Sequence, residues 1–108
     1  MTQESIKIFV DIDGTICTTD EKHDYNAAEP LPSRIDRINI LHDEGHEITY
    51  WTGRGGQSGI DWTELTIKQL EQWGAKYTFL IVGQKPHFDL YVCDKSINAD
   101  RFFTEVVI

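Results

Sequence analysis

Residues 6–15 have the sequence IKIFVDIDGT, in which an apolar run leads directly into two acidic residues and a turn. The run at 6–10 is rich in β-branched side chains, which predicts a buried strand. Alternate residues of an extended chain point to the same side, so Asp11 and Asp13 face one way. Two such carboxylates are costly beside a buried strand unless a positive partner offsets them. Mg²⁺ takes oxygen ligands at phosphate sites, so we expect it here.

The rest of the chain alternates between helix and strand patterns. A helix is predicted from Pro32 to a stop at Gly45, and another after Asp61 with a stop at Gly74. Further strands are predicted at 48–51, 77–82 and 90–93, with an edge strand at 106–108. This alternation is typical of an α/β fold with a central parallel sheet.

Polar side chains follow the predicted strands at the edge where such sheets bind ligands. Asp11, Thr52 and Asp94 follow three of the strands, and Lys85 lies in the turn that leads into the last. Asp94 is a candidate third acidic group on the metal. Lys85 is a point charge that could hold a phosphoryl oxygen or restrain a carboxylate.

A glycine-rich turn follows the second strand. Thr52, Gly53 and Arg54 open this turn. A hydroxyl and the neighbouring backbone N–H groups can bind phosphate, and a guanidinium matches its geometry. Gly53 and Arg54 are therefore candidate phosphate-binding residues, although the glycine spacing matches neither a P-loop nor a dinucleotide-binding loop.

Composition limits the function classes. The 108 residues are enough for a single domain spanning 1–108, and 40% of them are hydrophobic. A net charge of −8 disfavours nucleic acid as a partner. No apolar stretch is long enough for a membrane span, and the first residues lack a signal-peptide pattern, so we expect a cytoplasmic protein. Cys17 and Cys93 have no metal-ligand spacing, and no disulfide is expected between them.

The motifs together resemble the haloacid dehalogenase (HAD) superfamily. Residues 9–15, FVDIDGT, look like its first motif, and Thr52, Lys85 and Asp94 match the second, third and fourth in order and spacing. The resemblance covers nearly the whole chain. It implies a Rossmann-like three-layer fold with the first strand central, between the second and the fourth.

The resemblance also implies a phosphatase mechanism. Asp11 would attack phosphorus and form an aspartyl-phosphate, and Asp13 would act as general acid and then general base. Mg²⁺ would be held by Asp11, the backbone carbonyl of Asp13 and Asp94. Thr52 and Lys85 would bind the phosphoryl oxygens. An acid two residues after the nucleophile marks the phosphatases of this superfamily.

The intervals between the motifs have no room for a cap domain. The pattern is most similar to small capless phosphatases of capsular or surface polysaccharide biosynthesis, which implies a sugar phosphate substrate. An open site suits a large substrate, or a homo-oligomer whose neighbours close the pocket. Cys93 departs from the acidic pair that such proteins often carry in the fourth motif, and Asn98 stands where some branches have a second Asp.

Two alternatives remain open. A phosphoaspartate receiver-like signalling domain has similar residue types, but its acidic pair and its phosphorylated Asp lie on different strands. A catalytically silent HAD-like binding protein would keep the fold without turnover. His23 and Tyr25, in the loop after the first motif, and Trp62 are weaker candidates for substrate contacts, with surface or structural roles favoured for them.

Overall fold

The computed structural model describes residues 4–20, 22 and 24–106. Three strands, β1 (Lys7–Val10), β2 (Glu47–Thr52) and β3 (Phe79–Val82), form a parallel sheet in the order β1-β2-β3. Helix α1 (Pro32–Asp43) connects β1 to β2, and α2 (Thr63–Gln72) connects β2 to β3. These two crossovers give the Rossmann-like α/β fold that the sequence predicts.

The core lies between β2 and the helices. Helix α1 buries Ile35, Ile38 and Leu41, the positions that recur at helical spacing. Ile48 and Tyr50 of β2 are also fully buried in this cluster. The middle strand of a parallel sheet is covered on both faces, and β2 has that position.

The strand order differs from the one implied by the resemblance. Strand β2 is in the middle, and β1 pairs with it in a register that aligns Val10 with Tyr50. Among the described residues, no strand pairs with the outer edge of β1. The expected central position of the first strand is therefore not seen.

The prediction of a strand at 90–93 is wrong. These residues form no strand, and the side chains of Leu90 and Val92 are 79% and 86% exposed. The rings of Phe88 and Tyr91 instead pack on each other, with centroids 5.4 Å apart. An apolar run forms a strand only where it has a neighbour to pair with and a surface to cover.

A third helix, which the sequence analysis does not predict, lies just before the expected edge strand. Helix α3 (Ala99–Glu105) begins after Asn98, whose side chain accepts hydrogen bonds from the backbone N–H groups of Asp100 and Arg101. Arg34 ties α3 to α1 through an ion pair of 2.7 Å with Asp100. Val106 ends the helix, and the other two residues of the predicted edge strand, 107 and 108, lie outside the described residues.

Among the described residues, the loops that follow the strands contain no cap domain. Between β1 and α1 the described residues contain only loop and a short 3₁₀ turn at Tyr25–Ala27, and between β2 and α2 only a loop. No helix in the described part of the chain is both long and apolar enough to cross a bilayer.

Candidate active site

An open cleft with a volume of about 960 Å³ lies at the carboxyl ends of the three strands. Asp11 reaches it from the end of β1, Thr52 from the end of β2, and Lys85 from the loop after β3. The parallel arrangement places these strand ends at one edge of the sheet. The cleft is also lined by Asp13, Gly53 and Arg54, so the structure brings together every predicted site residue except Asp94.

Asp11 is an accessible carboxylate at the strand end of the cleft. Its side chain is 42% exposed, and its Oδ1 lies 3.4 Å from Lys85 Nζ. The same oxygen accepts a hydrogen bond of 2.9 Å from the backbone N–H of Ile12. Burial raises the pKa of Asp11, and the positive charge of Lys85 opposes that rise. Lys85 Nζ also lies 5.3 Å from the ring centroid of Trp51, within the range of a cation–π interaction.

Asp13 is held by Arg54. Arg54 Nη2 donates to Asp13 Oδ1 at 2.7 Å, and Nε donates to Oδ2 at 2.9 Å, which makes a bidentate pair. The Arg54 side chain has no exposed surface, whereas that of Asp13 is 19% exposed. Burial by itself would lower the pKa of Arg54, but the bonded Asp13 carboxylate outweighs it and raises that pKa.

Helix α2 completes the environment of Arg54. Arg54 Nη1 donates to two side chains of this helix, to Thr66 Oγ1 at 3.1 Å and to Gln69 Oε1. Gln69 Nε2 donates to the backbone carbonyl of Tyr25 at 2.7 Å, and the Tyr25 ring lies 4.8 Å from the guanidinium carbon. With the two bonds to Asp13, four of the five N–H groups of the guanidinium have protein partners.

This arrangement changes the interpretation of Arg54. The sequence predicts a phosphate ligand, but the structure buries the guanidinium against Asp13 and α2. A guanidinium so fully bonded has little capacity left for a phosphoryl group. We therefore assign Arg54 to Asp13, whereas Thr52, Gly53 and Lys85 remain candidate phosphate-binding residues.

Cys17 is a third donor to Asp13. Its buried thiol Sγ lies 3.6 Å from Asp13 Oδ1 and 3.6 Å from the carbonyl oxygen of Ile12. Burial, reinforced by the Asp13 charge, raises the pKa of Cys17 to about 12, so the thiol stays protonated at neutral pH. Cys17 and Cys93 are both free thiols, as the sequence predicts.

The turn after β2 positions Thr52 and Gly53 at the cleft. Thr52 is buried, and its Oγ1 accepts a hydrogen bond of 3.3 Å from the backbone N–H of Arg54. Gly55 has a φ of +82°, and a Cβ there would collide with the backbone carbonyl of Ile60. Only glycine allows this close approach, which folds the loop back towards Trp62.

Aromatic and acidic side chains also line the cleft. The rings of Tyr25, Trp62 and Phe88 line it, and Tyr25 and Trp62 pack edge to face with centroids 5.1 Å apart. Asp20 and Asp24 line the same region. Tyr25 and Trp62, weak candidates from sequence, therefore lie at the site, whereas His23 is outside the described residues.

Asp94 is not part of the cleft. Its nearest described partner is Cys93, whose Sγ lies 3.8 Å from Asp94 Oδ1 in an exposed segment. The backbone N–H of Lys95 donates to that sulfur and lowers the pKa of Cys93. Across residues 4–20, 22 and 24–106, no three His, Cys, Asp or Glu side chains are grouped closely enough to hold a metal ion. Asn98 caps α3 and does not line the cleft.

Sequence reasoning missed three residues of the site. Cys17, Thr66 and Gln69 bond to Asp13 or to its arginine partner. Thr66 and Gln69 are three residues apart, so they lie on the same face of α2. Two buried polar residues at that spacing are a signal that the helix faces a polar partner, although the sequence does not identify the partner.

Comparison with solved structures supports the fold. A crystal structure of a target protein from Vibrio cholerae is similar, with a TM-score of 0.74 and 23% sequence identity over 94% of this chain and 89% of that chain. At this identity the similarity shows the fold. No family model matches the chain, and no curated protein matches it significantly.

Proposed function

We propose that the protein is a phosphatase that hydrolyses a phosphomonoester through an aspartyl-phosphate on Asp11. The observation that carries the proposal is the Asp11 carboxylate, exposed in the cleft, with Lys85 Nζ 3.4 Å away. Thr52 lines the same cleft at the end of the neighbouring strand. A nucleophile, a cation and a hydroxyl at one edge of the sheet are the groups that phosphoryl transfer requires.

The two half-reactions follow from these groups. Asp11 attacks phosphorus, the bond to the leaving oxygen breaks, and Asp13, which enters this step as the carboxylic acid, gives that oxygen its proton. Water then attacks the aspartyl-phosphate and transfers a proton to Asp13, which releases inorganic phosphate and restores the Asp11 carboxylate. Lys85 and the Thr52 hydroxyl stabilise the charge on the phosphoryl oxygens.

Magnesium dependence is part of the proposal. Mg²⁺ at phosphate sites often has one or two protein carboxylates, with water and phosphate oxygens as its other ligands. Asp11 and Asp13 line the cleft, and the Asp11 carboxylate with the Asp13 backbone carbonyl that the resemblance implies would supply such ligands, whereas Asp94 lies outside the cleft. When bound, the ion would offset the repulsion between the Asp11 carboxylate and the phosphate.

The lining of the cleft favours a sugar phosphate over a polyanion. Asp20 and Asp24 add negative charge to the lining, and the Arg54 charge is offset by Asp13. Extra phosphate groups of a nucleotide or a bisphosphate would be repelled there. A sugar ring is uncharged and can pack on the aromatic rings that line the cleft, such as Trp62 and Phe88. We also propose a cytoplasmic location, where thiols such as Cys17 and Cys93 stay reduced.

The test is phosphate release from hexose phosphates, bisphosphates and nucleotides, with and without magnesium. Wild type should turn over a hexose monophosphate best, and only with magnesium. Asp11→Asn should reduce turnover by at least about a thousandfold, because the nucleophile is lost. A folded wild type that releases no phosphate from any of these would support the silent binding protein. A protein that becomes phosphorylated by a small phosphodonor without turnover would support the receiver-like domain.

A further inference from the structure

The Asp13 carboxylate is held in place by contacts with two side chains, Arg54 and Cys17. Both of its oxygens accept hydrogen bonds from Arg54, and Oδ1 also lies 3.6 Å from the Cys17 thiol. Arg54 follows β2, and Cys17 belongs to the loop after β1, so the carboxylate is held from two sides. A bidentate pair fixes the plane of the carboxylate as well as its distance.

Arg54 is itself held in place by α2. Its Nη1 donates to Thr66 and Gln69, and Gln69 in turn donates to the backbone of Tyr25 at the cleft wall. A fully buried guanidinium is costly unless its donors are satisfied. Lys could supply the charge at this position but not the planar fork that meets both oxygens. The network is therefore specific for arginine.

We propose that Arg54 is a positioning residue that orients Asp13 for proton transfer to the leaving oxygen, with Gln69 as its support. The inference rests on the proposed phosphatase function. Correct placement of a general acid contributes about 10²–10⁴-fold to rate, and a displacement of about 1 Å can cost about 10²-fold. Loss of the fork should therefore slow the step in which the leaving oxygen takes its proton.

The leaving group separates positioning from general damage to the fold. The alkoxide leaving group of a hexose phosphate needs the proton from Asp13 as the P–O bond breaks. The 4-nitrophenolate of 4-nitrophenyl phosphate is stable as an anion and does not need it. The value of kcat/KM reflects only the steps up to the breaking of the P–O bond. A defect in the position of Asp13 should therefore lower kcat/KM for the hexose phosphate and leave kcat/KM for 4-nitrophenyl phosphate nearly unchanged.

The experiment measures kcat/KM for a hexose phosphate and for 4-nitrophenyl phosphate in wild type, Arg54→Lys and Gln69→Ala. For the hexose phosphate, Arg54→Lys should lose about 10–100-fold and Gln69→Ala about 3–10-fold. Each should lose less than about threefold with 4-nitrophenyl phosphate. Gln72→Ala, an exposed glutamine on the same helix, is the matched control and should match wild type with both substrates.

A double mutant gives a second measurement. If Arg54 acts through Asp13, Arg54→Lys should cost little more in an Asp13→Asn background, because the group it positions is already lost. Equal losses with both substrates in Arg54→Lys and Gln69→Ala, or full additivity with Asp13→Asn, would overturn the positioning role while the phosphatase function stands. A wild type that turns over neither substrate would remove the phosphatase function and this inference with it.

Discussion

Residues 6–11 and 90–94 have the same pattern, an apolar run followed by an aspartate, and different structures. In the first, β1 pairs with β2, Val10 is 6% exposed, and Asp11 reaches the cleft. In the second, no strand forms, Val92 is 86% exposed, and Asp94 stays outside the cleft. The difference shows that a strand pattern places its aspartate only when the run has a pairing partner and a face to bury.

The largest effect expected from this comparison is on stability. Val10→Ala removes two methyl groups from the core and should lower the free energy of unfolding by about 2 kcal/mol. Val92→Ala changes a solvated side chain and should stay within about 0.5 kcal/mol of wild type. Urea unfolding of both variants measures the difference. Equal losses would mean that residues 90–93 are buried in solution, and the contrast would fail.

Local sequence predicted those parts of the fold that depend on local pattern. The burial of Ile35 and Ile38 follows from helical spacing, and the gathering of Thr52 and Lys85 follows from the parallel strand ends. Strand β3 begins at Phe79, two residues later than predicted. The helical spacing and the order of the strands can be recognised without knowledge of distant contacts.

The remaining features depend on long-range contacts. Arg54 and Asp13 are 41 residues apart, and nothing in the local sequence indicates that the arginine is paired with Asp13. Helix α3 was missed although Asn98 is a good N-cap, because the sequence analysis interpreted Asn98 only as a position of the fourth motif. The exposure of Val92 depends on the absence of a strand beside it among the described residues, which the run itself cannot reveal.

A smaller effect is expected on the free energy of unfolding, which Asp11 makes dependent on pH. Because burial raises the pKa of Asp11, with Lys85 opposing, the folded protein binds that proton more tightly than the unfolded chain does. Wild type therefore loses stability as pH rises through the raised pKa. In metal-free buffer Asp11→Asn should be more stable at neutral pH, by up to about 1 kcal/mol given solvent screening. The difference in stability between the two proteins should disappear as the pH falls to 3.8, the ordinary pKa of an aspartate.

The control for that measurement is Asp43→Asn. The pKa of Asp43 is lowered by its hydrogen bond to Lys76, so its contribution has the opposite sign and is lost as pH falls. Asp43→Asn should therefore be slightly less stable than wild type at neutral pH. Urea unfolding from pH 4 to pH 8 measures both variants. A loss of stability in Asp11→Asn at neutral pH would show that its contacts with Lys85 and Ile12 outweigh its burial.

The smallest expected effect is on the magnesium dependence of the proposed phosphatase, and it tests whether Asp94 lies outside the cleft. With Asp94 outside the cleft, Asp94→Asn should shift the magnesium concentration for half-maximal turnover by less than about twofold, a change below 0.5 kcal/mol. Asp89→Asn, an exposed aspartate in the same segment, is the control. A tenfold shift in Asp94→Asn alone would contradict the structural placement. It would mean that residues 90–93 lie against the outer edge of β1 when the ion binds, the fourth-strand position that the resemblance implies.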